Sequence, residues 1–378
     1  MRCPAQSIDI VIIGAGPAGI STALHLLRRN PEWAERMIIV EKAVHPRHKL
    51  CGGAVTKLGT RTLQSLGLPT PPPIPHAIVR DAHLKYRQLT IHVRRDPMLW
   101  VAHRDEFDHW LVNVAKEHGI VICENQLVEN IVFEKGIAFV KTREVTYRTK
   151  VVVGADGSRG ISRRVLYSPT EARGRVARVL EVVGPTSLST PTFDGLSALF
   201  DFTDVSQDLQ GYAWDFPSFV QGQAHFNRGI YDARAARQRP KGQLPKLLEK
   251  FLREHHTNPD SVGIQGHPIH WFSPRNRLAI PGMLVVGDSA GAEPLFGEGI
   301  GPALAGGAIA ANAIQAAFER NDFRFRGYRW QLLSSRLGAY LMWRWYVAWW
   351  SYRLSGHPWF MRTLWVIAAI INRTARGK

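Results

Sequence analysis

One stretch constrains the fold of this 378-residue chain more than any other: Ile8-Asp9-Ile10-Val11-Ile12-Ile13 followed by "GAGPAG" at Gly14–Gly19. The apolar, β-rich run reads as a buried parallel strand. The segment "ISTALHLLRR" then sets Ile20, Leu24 and Leu27 on one helical face, and "MIIVE" reads as a second strand ending at Glu41. This is a β-α-β unit with a glycine-rich turn. Side-chain-free positions at Gly14, Gly16 and Gly19 let a backbone approach a pyrophosphate. The helix opening through Pro17 and Ala18 presents its N–H groups to that charge. Glu41 is placed to accept hydrogen bonds from an adenosine ribose. An acid there disfavours a 2′-phosphate, so the tightly held nucleotide is expected not to be NADP.

The length suits two or three packed units, and 45% hydrophobic with 21% charged residues suffices for a sizeable core. The balance of 48 Lys plus Arg against 31 Asp plus Glu gives a net charge of +17. Such a field attracts nucleic acid, anionic lipid headgroups or diphosphate-bearing molecules. The basic runs "EARGRVAR" and "NDFRFRGYR" lack any helix-turn-helix, zinc-finger or RNP-like companion, so they read as solvated surface and no nucleic-acid partner is expected. The three cysteines, Cys3, Cys51 and Cys123, form no CxxC pair. That argues against a metal site and against a disulfide scaffold, and suits a reducing, cytoplasmic setting. The run Ile8–Ile13 is too short for a signal segment, and no cleavable leader is expected.

The proline-rich "PTPPPIP" (Pro69–Pro75) marks a linker. After it, "AHLKYRQLTIHV" alternates like antiparallel strands. "RDEFDHWLVNVAKEHG" has helical spacing, with Phe107, Leu111 and Val114 on one face. Residues from about 175 to 270 are strand-like except for the helical "LPKLLEKFLREH". "MLVVGDSAG" then restores an apolar strand. This order implies a nucleotide-binding domain from 1–75, 100–170 and 275–320, a β-rich unit from 76–99 and 171–274, and a helical tail from 321–378. Between Tyr340 and Ile371 the tail carries Trp343, Trp345, Trp349, Trp350, Trp359 and Trp365 among Arg344, Arg353 and Arg362. The arginines, with Gly356 and Pro358, break any membrane span of about 20 apolar residues. The pattern suits either a helix lying in a membrane interface or ordinary packing.

Two further signals follow in chain order: "GADGS" with Asp156, and "VVGDSAGAEPLFGEGIGPAL" with Asp288, Gly299 and Ile300. The second delivers an acid from a strand and then opens a helix whose positive end suits a reduced, anionic flavin. Together with the first turn, these stretches resemble the FAD-dependent oxidoreductases of the para-hydroxybenzoate hydroxylase fold. The resemblance implies an α/β (α+β) architecture: a Rossmann-type FAD-binding domain, an inserted antiparallel-sheet substrate domain and a C-terminal helical tail. It further implies that Glu41, Lys42 and Arg104 contact FAD, with Val128 on the adenine side. Asp156 and Asp288 would serve the FAD, and the Gly299-Ile300 backbone would lie under the isoalloxazine.

Within that fold, "HKLCGGAV" and "YAWDFP" resemble the geranylgeranyl reductase branch. The first puts Cys51, Gly52 and Ala54 against the flavin, and the second walls an apolar pocket with Tyr212, Trp214, Phe216 and Pro217. The implied activity is saturation of C=C bonds in an isoprenoid chain by hydride from reduced flavin, with Cys51 and Tyr212 as candidate proton sources. With one GxGxxG, NAD(P)H or ferredoxin is expected as a transient donor. Two features depart from the branch: Asp215 stands where an apolar residue is usual, and "SAGAEPLFGEGI" is one residue short. The alternative is a flavin monooxygenase or halogenase acting on an aromatic or terpenoid substrate. Halogenases carry Trp-x-Trp-x-Ile-Pro in a comparable region, from which Tyr212 and Phe216 depart. Peripheral membrane contact through the tail is expected for a lipid-tail substrate.

Overall fold

A computed structural model describes residues 7–167 and 175–376. Cys3 and residues 171–174 of the first basic run lie outside the described residues. The β-α-β unit forms as expected. Strand Ile10–Ile13, buried along its whole length, pairs in parallel with Met37–Val40 on one side and Val151–Gly154 on the other. Six strands make this sheet in the order Ala279–Ile280, Met283–Val285, Val151–Gly154, Ile10–Ile13, Met37–Val40, Val121–Cys123. All pair in parallel except the Ala279–Ile280 edge, so helices cover both faces and the strands read as continuous apolar runs.

Helix Pro17–Arg29 buries Ile20 and Leu24 against the long helix Ile300–Arg320. The latter is long and apolar enough to cross a membrane, yet 67% of that window is buried inside the protein, so it is a core helix here. On helix Arg104–Glu117, the Phe107, Leu111 and Val114 face is buried as its spacing predicts.

The second sheet has eight strands, in the order Gln265–His270, Val176–Pro185, Gln223–Asp232, Gly211–Val220, Ser197–Asp201, His76–Tyr86, Leu89–Ala102, Ala54–Thr56. The short strand Ala54–Thr56 follows Cys51-Gly52-Gly53 directly and pairs with Leu89–Ala102, which ties that segment into the second sheet. One face of this sheet packs on helix Leu244–Glu254 through Phe226 and Ile230. The other carries Tyr212, Trp214, Phe216 and Tyr231, and is covered by the tail through Ala348, Tyr352, Met361 and Trp365.

The tail therefore does two things. Its helices Arg336–Leu354 and Pro358–Arg376 supply ordinary packing on their inner side. Their outer side leaves Trp343, Tyr346, Trp350, Trp359, Ile367, Ile370 and Ile371 exposed. Cys51 is free and half-buried.

Candidate functional site

The first half of the site is the glycine turn and the charges around it. Gly14 sits at φ +105, and a Cβ there would lie 2.5 Å from the Ala155 carbonyl oxygen, so only glycine fits. Its N–H donates to the Val40 carbonyl at 2.8 Å. Glu41, almost wholly buried, closes the turn: its carboxylate accepts from the Ala15 N–H at 2.8 Å and the Ala43 N–H at 3.0 Å.

Above the turn stands a cationic pair. Arg104 donates two hydrogen bonds of 2.8 Å to Asp108, and Arg47 reaches the same carboxylate at 3.1 Å. Burial opposes the Arg104 charge, but Asp108 and the neighbouring Cys51 more than offset it and hold the guanidinium protonated. Arg47 lies 3.5 Å from where a Gly16 side chain would begin, and its buried Nε, 3.8 Å from Glu41 Oε1, makes no hydrogen bond among the described residues. A bare backbone turn under two guanidiniums, one with a donor that makes no hydrogen bond, fits the pyrophosphate of a dinucleotide. Sequence reasoning missed Arg47; its signal was the basic run "HPRHKL" directly after the second strand.

The other expected nucleotide residues distribute as follows. Lys42 is exposed at the end of the second strand, and Val128 is buried at the start of its own. Asp156 accepts from the Ser162 N–H at 2.9 Å and the Ser289 hydroxyl at 3.0 Å, so it clasps two loops together. Burial raises its pKa. Asp288 comes within 3.5 Å of the Gly299 side-chain position, at the mouth of the helix beginning Ile300. It also faces Lys49, whose ammonium burial pushes below its ordinary pKa.

The second half is the aromatic face. Alternation along Gly211–Val220 points Tyr212, Trp214 and Phe216 to one side. Asp215 takes the opposite side, where its Oδ2 pairs with Arg228 at 3.0 Å, while its buried Oδ1 has no hydrogen-bond partner among the described residues. Pro217 shares that parity and lies opposite Phe226 on the helix-covered face, away from the three aromatics. Gly52 meets the aromatic face directly: a Cβ there would lie 3.2 Å from the Phe216 ring and 3.5 Å from Trp214 Nε1.

Beneath this contact is a residue that sequence reasoning did not find. Glu181 lies in one cross-strand row with Gly229 and Trp214, so all three share a face. Its Oε1 accepts from Asn227 Nδ2 at 3.1 Å, and the same amide nitrogen donates to the Cys51 carbonyl at 3.2 Å. Trp214 Nε1 donates to Asn227 Oδ1 at 2.8 Å. Glu181 is 5% exposed, its Oε2 has no hydrogen-bond partner among the described residues, and burial pushes its pKa up to about 7. The only sequence signal was an acid inside a mostly apolar strand, "VARVLEVVG". Tyr212 is differently placed. Its hydroxyl donates to the Phe296 carbonyl at 2.5 Å, and burial holds its proton far more tightly than in water.

The loop Glu293–Glu298 joins the halves. The fully buried Glu293 accepts from the N–H groups of Leu295 and Phe296 at 2.5 and 3.0 Å, with Arg344 at 3.5 Å. Tyr231 donates to the Pro294 carbonyl at 2.7 Å, and the tail residues Tyr352 and Tyr340 donate to Leu295 and Glu298. A loop one residue short is thereby held on both sides by side chains from the second sheet and the tail.

The family described as FAD binding domain matches residues 7–204. The chain belongs to this family of FAD-binding flavoproteins. A relative described as digeranylgeranylglycerophospholipid reductase, from Sulfolobus acidocaldarius, is 25% identical over 84% of the chain and 71% of its own length. Among solved structures, a geranylgeranyl bacteriochlorophyll reductase-like protein from Thermoplasma acidophilum superposes with a TM-score of 0.74 at 18% identity, covering 93% of this chain and 88% of that one. The halogenase PltM superposes at 0.63 with 15% identity, covering 86% and 71% respectively. The fold of this flavoprotein is thus the geranylgeranyl reductase-like one, shared more distantly with halogenases. Replacing Gly14 by Val is expected to yield protein that loses most of its flavin, whereas Cys51→Ser stays yellow. The flavin-to-protein absorbance ratio checks both.

Proposed function

We propose that this flavoprotein reduces carbon–carbon double bonds in a prenyl chain. The observation that carries the reading is the close contact of Gly52 with Phe216 and Trp214, which brings the aromatic face of the second sheet to the edge of the nucleotide cradle. A polyprenyl chain has no polar handles, so such a surface selects it by apolar burial and shape. The relative described as a digeranylgeranylglycerophospholipid reductase supports the same substrate class. FAD, when bound, supplies the hydride that adds to one alkene carbon, and NAD(P)H or ferredoxin replenishes it.

The chain supplies the proton for the other carbon. Tyr212 holds its hydrogen on a carbonyl, whereas Glu181 offers a neutral carboxylic acid with a free oxygen at the Cys51–Gly52 contact. Glu181 leaves as carboxylate and regains its proton from solvent. Cys51 contributes a small, half-buried side chain between Arg104 and the aromatic face.

Mass spectrometry of lipid extracts from cells with and without this protein tests the activity. A gain of about two hydrogens per reduced bond is expected, and unchanged prenyl lipids would count against it. The acid assignment has its own signature. A carboxyl raised to about 7 is protonated below that pH and lost above it, so kcat/KM falls as pH rises through 7. Glu181→Gln is expected to lower the rate by about 10²–10⁴-fold and to abolish this limb. The protonated-carboxyl infrared band near neutral pH should vanish in the same variant.

The outer faces of the last two helices favour a peripheral membrane setting as part of this reading. Trp343, Tyr346 and Trp350 recur at helical spacing, and Trp359 is 64% exposed on the next helix beside Ile367 and Ile370. Trp343→Ser/Trp350→Ser/Trp359→Ser is expected to sediment with anionic vesicles far less than the parent; equal sedimentation would remove the tail from the account.

A further inference from the structure

On the face of the eight-stranded sheet opposite the aromatics, three ligand-bearing side chains converge. Asp81 and His83 lie on strand His76–Tyr86, and His92 lies on Leu89–Ala102. Strand alternation puts Asp81 and His83 on one side, and His83 and His92 are direct cross-strand partners. His83 also shares a row with Leu199 and Asp215, the side from which Tyr212, Trp214 and Phe216 turn away. The two imidazoles stand edge to face, with ring centroids 4.3 Å apart. A nitrogen of each ring and a carboxylate oxygen of Asp81 lie within 4.8 Å of one another.

The backbone under this cluster is held from several directions. The turn Arg87-Gln88 pairs Tyr86 with Leu89 and so sets the register that brings the two histidines together. Strand His76–Tyr86 is paired along both edges, with Leu89–Ala102 and with Ser197–Asp201. Its register shifts between Val79 and Asp81, an irregularity of the kind that re-aims a side chain. From the opposite face the last helix grips the same hairpin. Trp365 Nε1 donates to the Leu84 carbonyl at 3.3 Å, and Asn372 Nδ2 donates to the His92 carbonyl at 2.7 Å. Of the nearby cations, Lys85 is drawn to Asp201 and Arg80 to Asp96, each at 2.9 Å. Arg94 lies 3.9 Å from Asp81 Oδ2 with its side chain 73% exposed, too far for a hydrogen bond and only loosely held.

We propose that Asp81, His83 and His92 form a binding site for a divalent transition-metal ion of the zinc class, separate from the flavin and the aromatic face. Two imidazoles and a carboxylate are a ligand set such ions take, and three protein ligands leave a position for water. Ligand atoms about 2.1 Å from a tetrahedral ion lie about 3.4 Å from one another, so side-chain rotation over the fixed backbone closes the set. Calcium and magnesium prefer oxygen ligands and are disfavoured by the two imidazoles. None of the three ligands is a cysteine, so the scattered thiols do not bear on the site. Leu99, which pairs with Thr56 beside the Cys51–Gly52 segment, lies about 20 Å further along the strand from His92. A bound ion cross-links the hairpin on which the last helix rests, and so stabilises the folded chain by mass action.

The test uses the full FAD-loaded chain without a tag, stripped with a chelator and titrated calorimetrically with zinc chloride, with calcium chloride as the control. The variants are His83→Gln/His92→Gln, Asp81→Asn and Arg94→Ser, each checked for retained FAD. The parent is expected to bind one zinc ion per chain and no calcium, and zinc should raise its melting temperature. The histidine pair should lose both effects, and Asp81→Asn should weaken binding by about tenfold or more. Arg94→Ser removes the competitor for Asp81 and should tighten binding by about two- to fivefold. Equal zinc affinity in the parent and the histidine pair, or equal affinity for calcium, would mean an adventitious ion only and would overturn the site. Zinc binding to Arg94→Ser no tighter than to the parent would overturn it as well, and that comparison stands even where the histidine pair fails to fold. Loss of prenyl reduction in other assays would leave these results untouched.

Discussion

The molecule is organised around the contact between a stripped-down peptide and an aromatic strand. A Cβ at Gly52 would press on the Phe216 ring at 3.2 Å and touch the Trp214 indole at 3.5 Å, so the peptide lies close against the aromatic strand. That closeness couples the nucleotide cradle to the second sheet: Cys51-Gly52-Gly53 leaves the cradle and within two residues becomes the strand Ala54–Thr56. The carbonyl of Cys51 is then held by Asn227, which also holds Glu181 and Trp214. A single amide side chain thus orients the peptide, the acid and the aromatic wall at once. Burying an acid in such a place costs free energy unless its proton is retained, which is the physical origin of its raised pKa.

The tail is the second organising element. Arg344, Tyr340 and Tyr352 reach across to the Glu293–Glu298 loop, whose backbone would otherwise have few anchors. Tail and loop therefore form one unit: a helix whose outer face is rich in Trp braces with its inner face the loop leading to Gly299 and Ile300. Movement of these helices against a lipid surface would be felt directly at the loop.

The β-α-β unit, the antiparallel strands after the proline linker and the face of helix Arg104–Glu117 were legible because each rests on local periodicity and turn chemistry. Gly14 was legible for the same reason, and the spacing also put Glu41 at the end of the second strand, whereas Arg104 came only from the family resemblance. Glu181 and Asn227 were not, since Asn227 meets Cys51 and Glu181 from 176 and 46 positions away in the chain, and Arg47 takes its meaning from Asp108 on a later helix. Asp215 and Pro217 show the limit from the other side. Both sit in the aromatic signature, yet strand alternation turns them to the far face, where Arg228 and Phe226 receive them.

The central claim is that electrons leave this flavoprotein into an alkene. Its most direct test is an anaerobic single turnover: photoreduced protein mixed with a geranylgeranyl lipid, followed by flavin absorbance and product mass. The account predicts reoxidation of the flavin without oxygen, matched one-to-one by a lipid two hydrogens heavier. A flavin that stays reduced until oxygen is admitted, and then yields a hydroxylated or halogenated product, would contradict it.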